Sequence, residues 1–374
     1  MQLRCMTRLR GLGFIPLRRN EALDCRERVF AALAHREPDK VPKGELEIVS
    51  EMVSGLLGGE PTDRFEGLRA CVEMLKMDLV NTYTAWPKPK LVGVDSEGRA
   101  IEEDILGIRT VHGDVTDSSI PPITEPEQMW TFEFPEAEVF DTSWTARWAG
   151  ETDYFISGQT GGPFGTLEML LGWENAMIFS KTDLPAVKDL ARRAGRLFAE
   201  IGRKSAESGA DMVVVAEDIA FNTGTFFSPD TLREVVFPAL KEEVQEIKKS
   251  GVPVMMHSDG NLNDVMEDII DCGFDALQSL QPSAGMDIAE IKRKYGDKLC
   301  LMGNLDLNWL MPFGTTEDVR KAVRSLIRTA APGGGFILST CNVLTRDIPV
   351  ENAIAMYDEA ERFGVYPIED RDER

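Results

Sequence analysis

Short apolar runs alternate with longer amphipathic stretches along this chain, the pattern of parallel strands covered by helical crossovers. The runs are VPKGELEIV from Val41, DLVNTYT from Asp78, YFISGQT from Tyr154, DMVVVAED from Asp211, VPVMMHSD from Val252, FDALQSLQ from Phe274, LCLMGNLD from Leu299 and FILSTCN from Phe336. Between them, SPDTLREVVFPALKEEVQEIKKSG reads as a helix with Ser228 as cap and Pro229 in its first turn, and TTEDVRKAVRSLIRTAA as one opened by Thr315 or Thr316. Ahead of the first strand, Asp24 to His35 spaces Val29, Phe30 and Leu33 as a helix ended by Pro38, suited to capping a barrel from below. The expected fold is α/β, a single (β/α)8 TIM barrel.

Residues from about 88 to 140 break the rhythm with Gly, Pro, acidic clusters and alternating segments such as GIRTVHGD. They predict a β-rich insertion after strand two, on the carboxyl-terminal face where loops build active sites, and a candidate lid. PGGG at Pro332 to Gly335 precedes a strand and reads as a turn at the opposite end. There is no solenoid repeat and no low-complexity linker. The domain reading is a barrel over residues 23–374 and a loose basic tail over 1–22, a frayed extension or an upstream start site in preference to a targeting segment.

Composition narrows the function classes. With 41 Lys and Arg against 63 Asp and Glu, the formal charge of −22 would repel a phosphate backbone, so nucleic acid is not expected as a partner. No run approaches the roughly 18 apolar residues of a membrane helix, so no membrane partner is expected either. The six cysteines are scattered without a CxxC pair and no secretory segment is evident, which fits a reducing cytoplasm.

Polar side chains at the carboxyl ends of barrel strands are poor core material, and this chain has them at every strand: Glu45 and Glu47, Tyr83, Gln159, Glu217 and Asp218, His257 and Asp259, Gln281, Asn304 and Asp306, Cys341 and Asn342. His257 is one of three histidines and follows the apolar run VPVMM, with Asp259 on the same face two residues on. Together with Glu217 and Cys341 these offer N, O, O and S donors of the kinds zinc accepts. The same residues also describe a hydrogen-bonded His–Asp pair and a buried cysteine acting as a small hydrophobe, and spacing alone favours that reading. Asp218 has a bland alternative as a cap for loop amides. GQTGGPFG could bring amides toward an anion, or be a tight loop.

Several segments in their order resemble the uroporphyrinogen decarboxylase superfamily from Arg26 to about Pro367: RERVFAALAHREPDKVP, GGPFGTLEMLLGWENAM, AEDIAFNTGTFFSPDTLREVVFPALK, VPVMMHSDGN, ALQSLQP with MDIAEIKRKYGDKLCLMGNLD, and APGGGFILST. True decarboxylases carry an arginine-rich segment after the first strand, where this chain has KGELEIVSE. Glu45 and Glu47 there would repel substrate carboxylates. The chain is similar to the branch of corrinoid-dependent methyltransferases, which hold zinc through a His-x-Cys pair on strand five and a Cys on strand eight. The resemblance implies zinc at Glu217, His257, Asp259 and Cys341, with Asp259 where the branch has Cys, a harder ligand that can shift metal preference.

The activity implied is zinc-assisted methyl transfer, in either direction between a small molecule and a corrinoid on a separate protein, since no corrinoid-binding motif is evident in this chain. Glu217, Asp218, His257 and Asp259 would be its catalytic groups. Glu45, Glu47, Tyr83, Gln159, Gln281, Asn304, Asp306 and Asn342 would line the substrate pocket. Two alternatives stand beside it: a metal-independent lyase of the decarboxylase type acting on another substrate, with Asp218 or Asp306 stabilising a protonated intermediate, and a ligand-binding barrel without catalysis.

Overall fold

The computed structural model describes residues 22–113 and 116–368. The expected basic tail lies outside them except for residue 22.

Helix α1 (Cys25–Leu33) starts with a reciprocal cap, the Asp24 side chain accepting from Glu27 N while the Glu27 side chain accepts from Asp24 N. The eight expected strands follow as β1 (Gly44–Glu45), β2 (Leu79–Tyr83), β3 (Phe155–Thr160), β4 (Met212–Ala216), β5 (Val254–Ser258), β6 (Ala276–Ser279), β7 (Cys300–Leu305) and β8 (Phe336–Thr340). They are parallel neighbours in chain order. A bridge from Lys43 to Leu338, with Leu338 N donating to Pro42 O at 2.9 Å, brings β8 back to the start of β1.

Alternation along the strands sorts side chains into two layers. Leu46, Leu79, Phe155, Met212, Val214, Met255, Ala276, Cys300, Met302 and Ile337 form an inner cluster, which includes Val29 and Ala32 of α1. The barrel is therefore filled, and α1 stoppers its lower end as its spacing predicts. Neighbours in sequence such as Val80, Ile156, Val213, Met256 and Leu301 turn outward into the larger core beneath the helices.

Arg28 fastens the stopper. Its Nε and Nη2 donate to Asp39 at 2.8 and 2.9 Å, and its Nη1 to Asp78 just before β2. Gly334 has φ +77, and a Cβ there would sit 2.5 Å from the backbone of Arg36. The glycine turn thus packs beneath the barrel, away from the strand ends that carry chemistry.

The interval after β2 is a four-stranded antiparallel sheet of Lys90–Val94, Ala100–Glu103, Arg109–Val111 and Ser118–Ile120, followed by the short helix Pro126–Thr131. It rests on helix α2 (Pro163–Thr182): Ile123 N donates to Leu170 O at 3.1 Å, and Pro121 lies against Gly172, whose φ of +71 kinks the helix. Further round the barrel are α3 (Leu184–Glu207), α4 (Pro229–Lys248) capped by Ser228, α5 (Thr316–Ala330) capped by Thr315, and α6 (Val350–Phe363). No helix of the described residues is long and apolar enough to cross a membrane.

Candidate active site at the carboxyl ends of β4 and β5

Parallel pairing of β4 with β5 sets Ala216 beside His257, so the residues after each strand meet. Asp218 Oδ1 accepts from Asp259 N at 2.7 Å and lies 3.8 Å from His257 Nε2. One donor atom from each of Asp218, His257 and Asp259 lies within 4.8 Å of the others, the buried imidazole lying between an exposed and a half-buried carboxylate.

The imidazole is oriented from below. His257 Nδ1 hydrogen-bonds to Gln278 Oε1. Gln278, fully buried on β6, spends its Nε2–H on Thr340 O at 3.3 Å and so presents its oxygen to the ring. Gln278 Oε1 therefore accepts from Nδ1, so that in the neutral imidazole Nε2, which faces Asp218, is the acceptor nitrogen, the tautomer a metal ligand or a general base requires.

Asp259 is held as firmly. Ser279 Oγ donates to Oδ1 at 2.7 Å and Asn342 Nδ2 donates to Oδ2. Ser279 and Leu280 carry φ values of +110° and +55°, conformations that cost a non-glycine residue on the order of 1–3 kcal/mol each. The strained strand end carries the hydroxyl that holds Asp259, and Asn304 Nδ2 donates to Leu280 O. Gly260, at φ +86, permits the next step of the loop, since a Cβ would meet the Ala220 backbone at 2.6 Å.

Glu217 and Cys341 fall outside this three-residue group. The Glu217 carboxylate is turned to the start of α2, accepting from Phe164 N at 2.6 Å and Gly165 N at 3.2 Å. The acceptor met by the GGPFG amides is therefore the carboxyl group of the chain's own glutamate, at a helix amino terminus where negative charge is favoured. Burial nevertheless lifts its pKa to about 8. Cys341 is buried, its thiol pushed up to about 12 by desolvation, with the Asp259, Asp306 and Glu45 carboxylates adding to the rise. Asp218, which sequence reasoning kept out of the metal set, is the carboxylate placed within reach of His257 and Asp259.

The residues expected to line a pocket divide. Glu47 and Tyr83 face a cavity of about 280 Å3 on the β1–β2 side, with Asn81, Arg64 and Trp144 in its wall. The Tyr83 hydroxyl donates to Leu46 O at 3.2 Å and lies 3.4 Å from Glu47 Oε2. Gln159 Oε1 accepts from Asn81 Nδ2 at 2.9 Å. Gln281 ties loops together, accepting from Gly260 N and donating to Ser283 Oγ. Asp306 Oδ1 accepts from the amides of Asn308, Trp309 and Leu310, an arrangement that holds the turn after β7.

Glu45 differs most from its expected role. Glu45 borders the cavity, but its buried carboxyl group accepts from Thr340 N, Thr340 Oγ1 and Tyr357 Oη, each at 2.8 Å. Burial lifts its pKa to about 8 against these three donors, so near neutrality it is largely protonated and contributes little of the charge expected to repel carboxylates. A carboxyl group with a raised folded-state pKa holds more protons folded than unfolded, so its stabilisation is complete below about pH 4.5 and is lost as pH rises to about 8. Denaturant unfolding followed across that window should show stability falling with pH, by up to about 1.4 kcal/mol per unit from this group, and Glu45→Gln should flatten the slope.

Gln278, Ser279 and Asn81 escaped the sequence reading. Gln278 had a usable signal: an amide in the apolar run DALQSL, at the register position beside His257.

A filled parallel barrel with an imidazole and two carboxylates converging at its carboxyl-terminal face defines an enzyme-type (β/α)8 architecture. Residues 118–363 match the family model for uroporphyrinogen decarboxylase (URO-D). The chain belongs to this uroporphyrinogen decarboxylase family. It is 29% identical over 208 residues to the methylcobamide:CoM methyltransferase MtaA of Methanosarcina barkeri, covering 54% of this chain and 57% of that one. It is 32% identical over 124 residues to the uroporphyrinogen decarboxylase of Chlorobium phaeovibrioides, covering 33% of this chain and 32% of the relative. The aligned part thus spans little more than half of the methyltransferase and a third of the decarboxylase. In fold, the chain is similar to a methyltransferase from Methanosarcina mazei, with a TM-score of 0.71, 19% identity, and coverage of 91% of this chain and 99% of that one.

Proposed function

We propose that this barrel catalyses metal-assisted methyl transfer between a small molecule and a corrinoid carried on a separate protein. The supporting observation is His257, its Nδ1 held by Gln278 and its Nε2 turned to Asp218, with Asp259 beside them, in a chain similar to a methylcobamide methyltransferase over more than half its length. One nitrogen and two oxygen donors are a set zinc accepts, and three protein ligands leave the open position of a catalytic site. His257, Asp259 and Asp218 would hold the ion, with Cys341 a buried thiol nearby. Zinc bound there would supply Lewis acidity, lowering the pKa of a substrate thiol or hydroxyl or polarising a methyl ether.

The chain's own groups set the conditions for that chemistry. Ser279 and Asn342 hold Asp259 in one orientation, Gln278 keeps the proton on Nδ1, and Asp218 stands on the solvent side, where a proton can leave. Glu47 and Tyr83 line the neighbouring cavity as substrate-facing groups. The reading is tested by zinc stoichiometry on the purified protein, followed by methyl transfer from methylcobalamin to a panel of small thiols. Near-equimolar zinc with turnover supports it. Protein that stays metal-free after zinc is offered removes it and leaves the metal-independent lyase, with Asp218 or Asp306 stabilising a protonated intermediate, or the ligand-binding barrel. Gln278→Leu should weaken zinc binding roughly 10–100-fold, the usual consequence of losing a partner that orients a ligand; equilibrium titration against a chromophoric chelator measures it.

A further inference from the structure

The wall of the barrel opens between β1 and β2. Only Gly44 and Glu45 pair with β2, opposite Leu79 and Val80. Beyond them the chain turns toward the segment after β8: Ile48 bridges Leu344, whose N donates to Glu47 O at 3.0 Å. Side chains of β2 span the gap instead, Asn81 Nδ2 and Tyr83 Oη each donating to Leu46 O at 3.2 Å. The 280 Å3 cavity lies in this gap, with further wall from the helices Ser50–Leu57 and Arg64–Met74.

The cavity adjoins the site at β4 and β5 in two ways. Glu45 in its wall accepts from Thr340 N, Thr340 O accepts from Gln278 Nε2, and Gln278 holds His257. Tyr83 also lines a second cavity, of about 210 Å3, whose lining includes Gln159 and Ala216, the latter in register with His257.

The lining decides what fits. Val53, Leu68, Val72, Met77 and Val80 make much of the wall aliphatic, so an apolar body gains by entering. An anion would face the carboxylates of Glu47 and Glu60 against one guanidinium, that of Arg64, which lies 5.7 Å over the Trp144 ring. The amide protons of Asn81 are already spent on Leu46 O and Gln159 Oε1, and the Tyr83 hydroxyl on Leu46 O. A cation would meet Arg64 and give up hydration to aliphatic walls, a heavy cost for any full charge. A hydroxyl or thiol head needs only to donate its one proton to Glu47.

We infer that this cavity takes the body of the substrate, and that the substrate is an uncharged alcohol or thiol, or its methyl derivative, with a medium-length apolar body and its head at Glu47 and Tyr83. Which head group reacts rests on the methyl-transfer reading; which body binds rests on the cavity alone.

Isothermal titration of the full chain with butanol, hexanol and octanol should show affinity rising about fourfold per added methylene. Octanol should bind at least about tenfold more tightly than octanoate near neutral pH. Val53→Phe and Val72→Trp fill the cavity from two different helices, and each should weaken octanol binding at least about tenfold with zinc binding retained. Octanoate binding as tightly as octanol overturns the proposal, as does an absence of saturable octanol binding or an octanol affinity that neither variant changes. In the methyl assay, methylcobalamin and hexanethiol should give hexyl methyl sulfide, cob(I)alamin and a proton, faster than mercaptoacetate is methylated. Octanol binding in the cavity with no thiol methylated removes the methyl-transfer reading and upholds the ligand class. Methylation of mercaptoacetate ahead of hexanethiol overturns the ligand class and upholds the reaction.

Discussion

His257→Ala should lose zinc by a larger factor than any other single change at the barrel mouth. The substitution removes the one nitrogen donor and leaves two carboxylates, a harder pair with less preference for zinc. The loss should exceed the roughly 10–100-fold expected for removing an orienting partner such as Gln278, and methyl transfer should fall with it. The fold should persist, because His257 sits at the catalytic end of a strand whose other residues, Val254 to Met256, carry the packing. Chelator-competition titration and circular dichroism on the same preparation separate the two effects. Wild-type zinc affinity in the variant would mean that the metal is held elsewhere in the chain.

The second large effect is expected at the other end of the barrel. Arg28→Ala removes the guanidinium joining α1 to Asp39 and Asp78, and leaves the Asp78 carboxylate buried without its charged partner. Breaking a buried pair from one side typically costs about 3–5 kcal/mol, here through loosening of the helix that stoppers the inner core. Urea unfolding should report that loss, with zinc affinity of the surviving folded protein unchanged. Arg28→Lys should restore only part of it, because an ammonium cannot reach two carboxylates in the forked geometry of a guanidinium. An undiminished unfolding midpoint in Arg28→Ala would mean that the other contacts of α1, among them Val29, Ala32 and the Arg26–Asp211 pair, hold the stopper.

The two sites were not equally legible. Strand positions followed from apolar runs, because a strand buried on both faces needs nothing else to declare itself. The caps at Ser228 and Thr315 and the turn at Gly333 to Gly335 followed from local chemistry. At the mouth, sequence spacing placed His257 and Asp259 on one strand, but could not say where neighbouring side chains turn. Glu217 and Asp218 are adjacent, and which one reaches His257 depends on the fold of the GGPFG loop onto α2. Glu45 carries the same ambiguity: its polarity suggested the pocket, whereas the distant Tyr357 and Thr340 claim its carboxyl group. Gln278 was hidden because a single amide in an apolar strand acquires its role only from the register with the next strand.

Those fastenings at Glu45 also bear on how the polypeptide is made. β1 has two residues, and the bonds from Thr340 and Tyr357 that secure it reach back across 295 and 312 positions of sequence. During synthesis the first strand therefore leaves the ribosome long before the groups that hold it. The inner layer around Leu46 and Leu79 also includes Met302 and Ile337, so it is complete only once β7 and β8 have emerged. Closure of the ring is then a late, nearly whole-chain event, and the unpaired strands ahead of it are exposed to misassembly until it occurs.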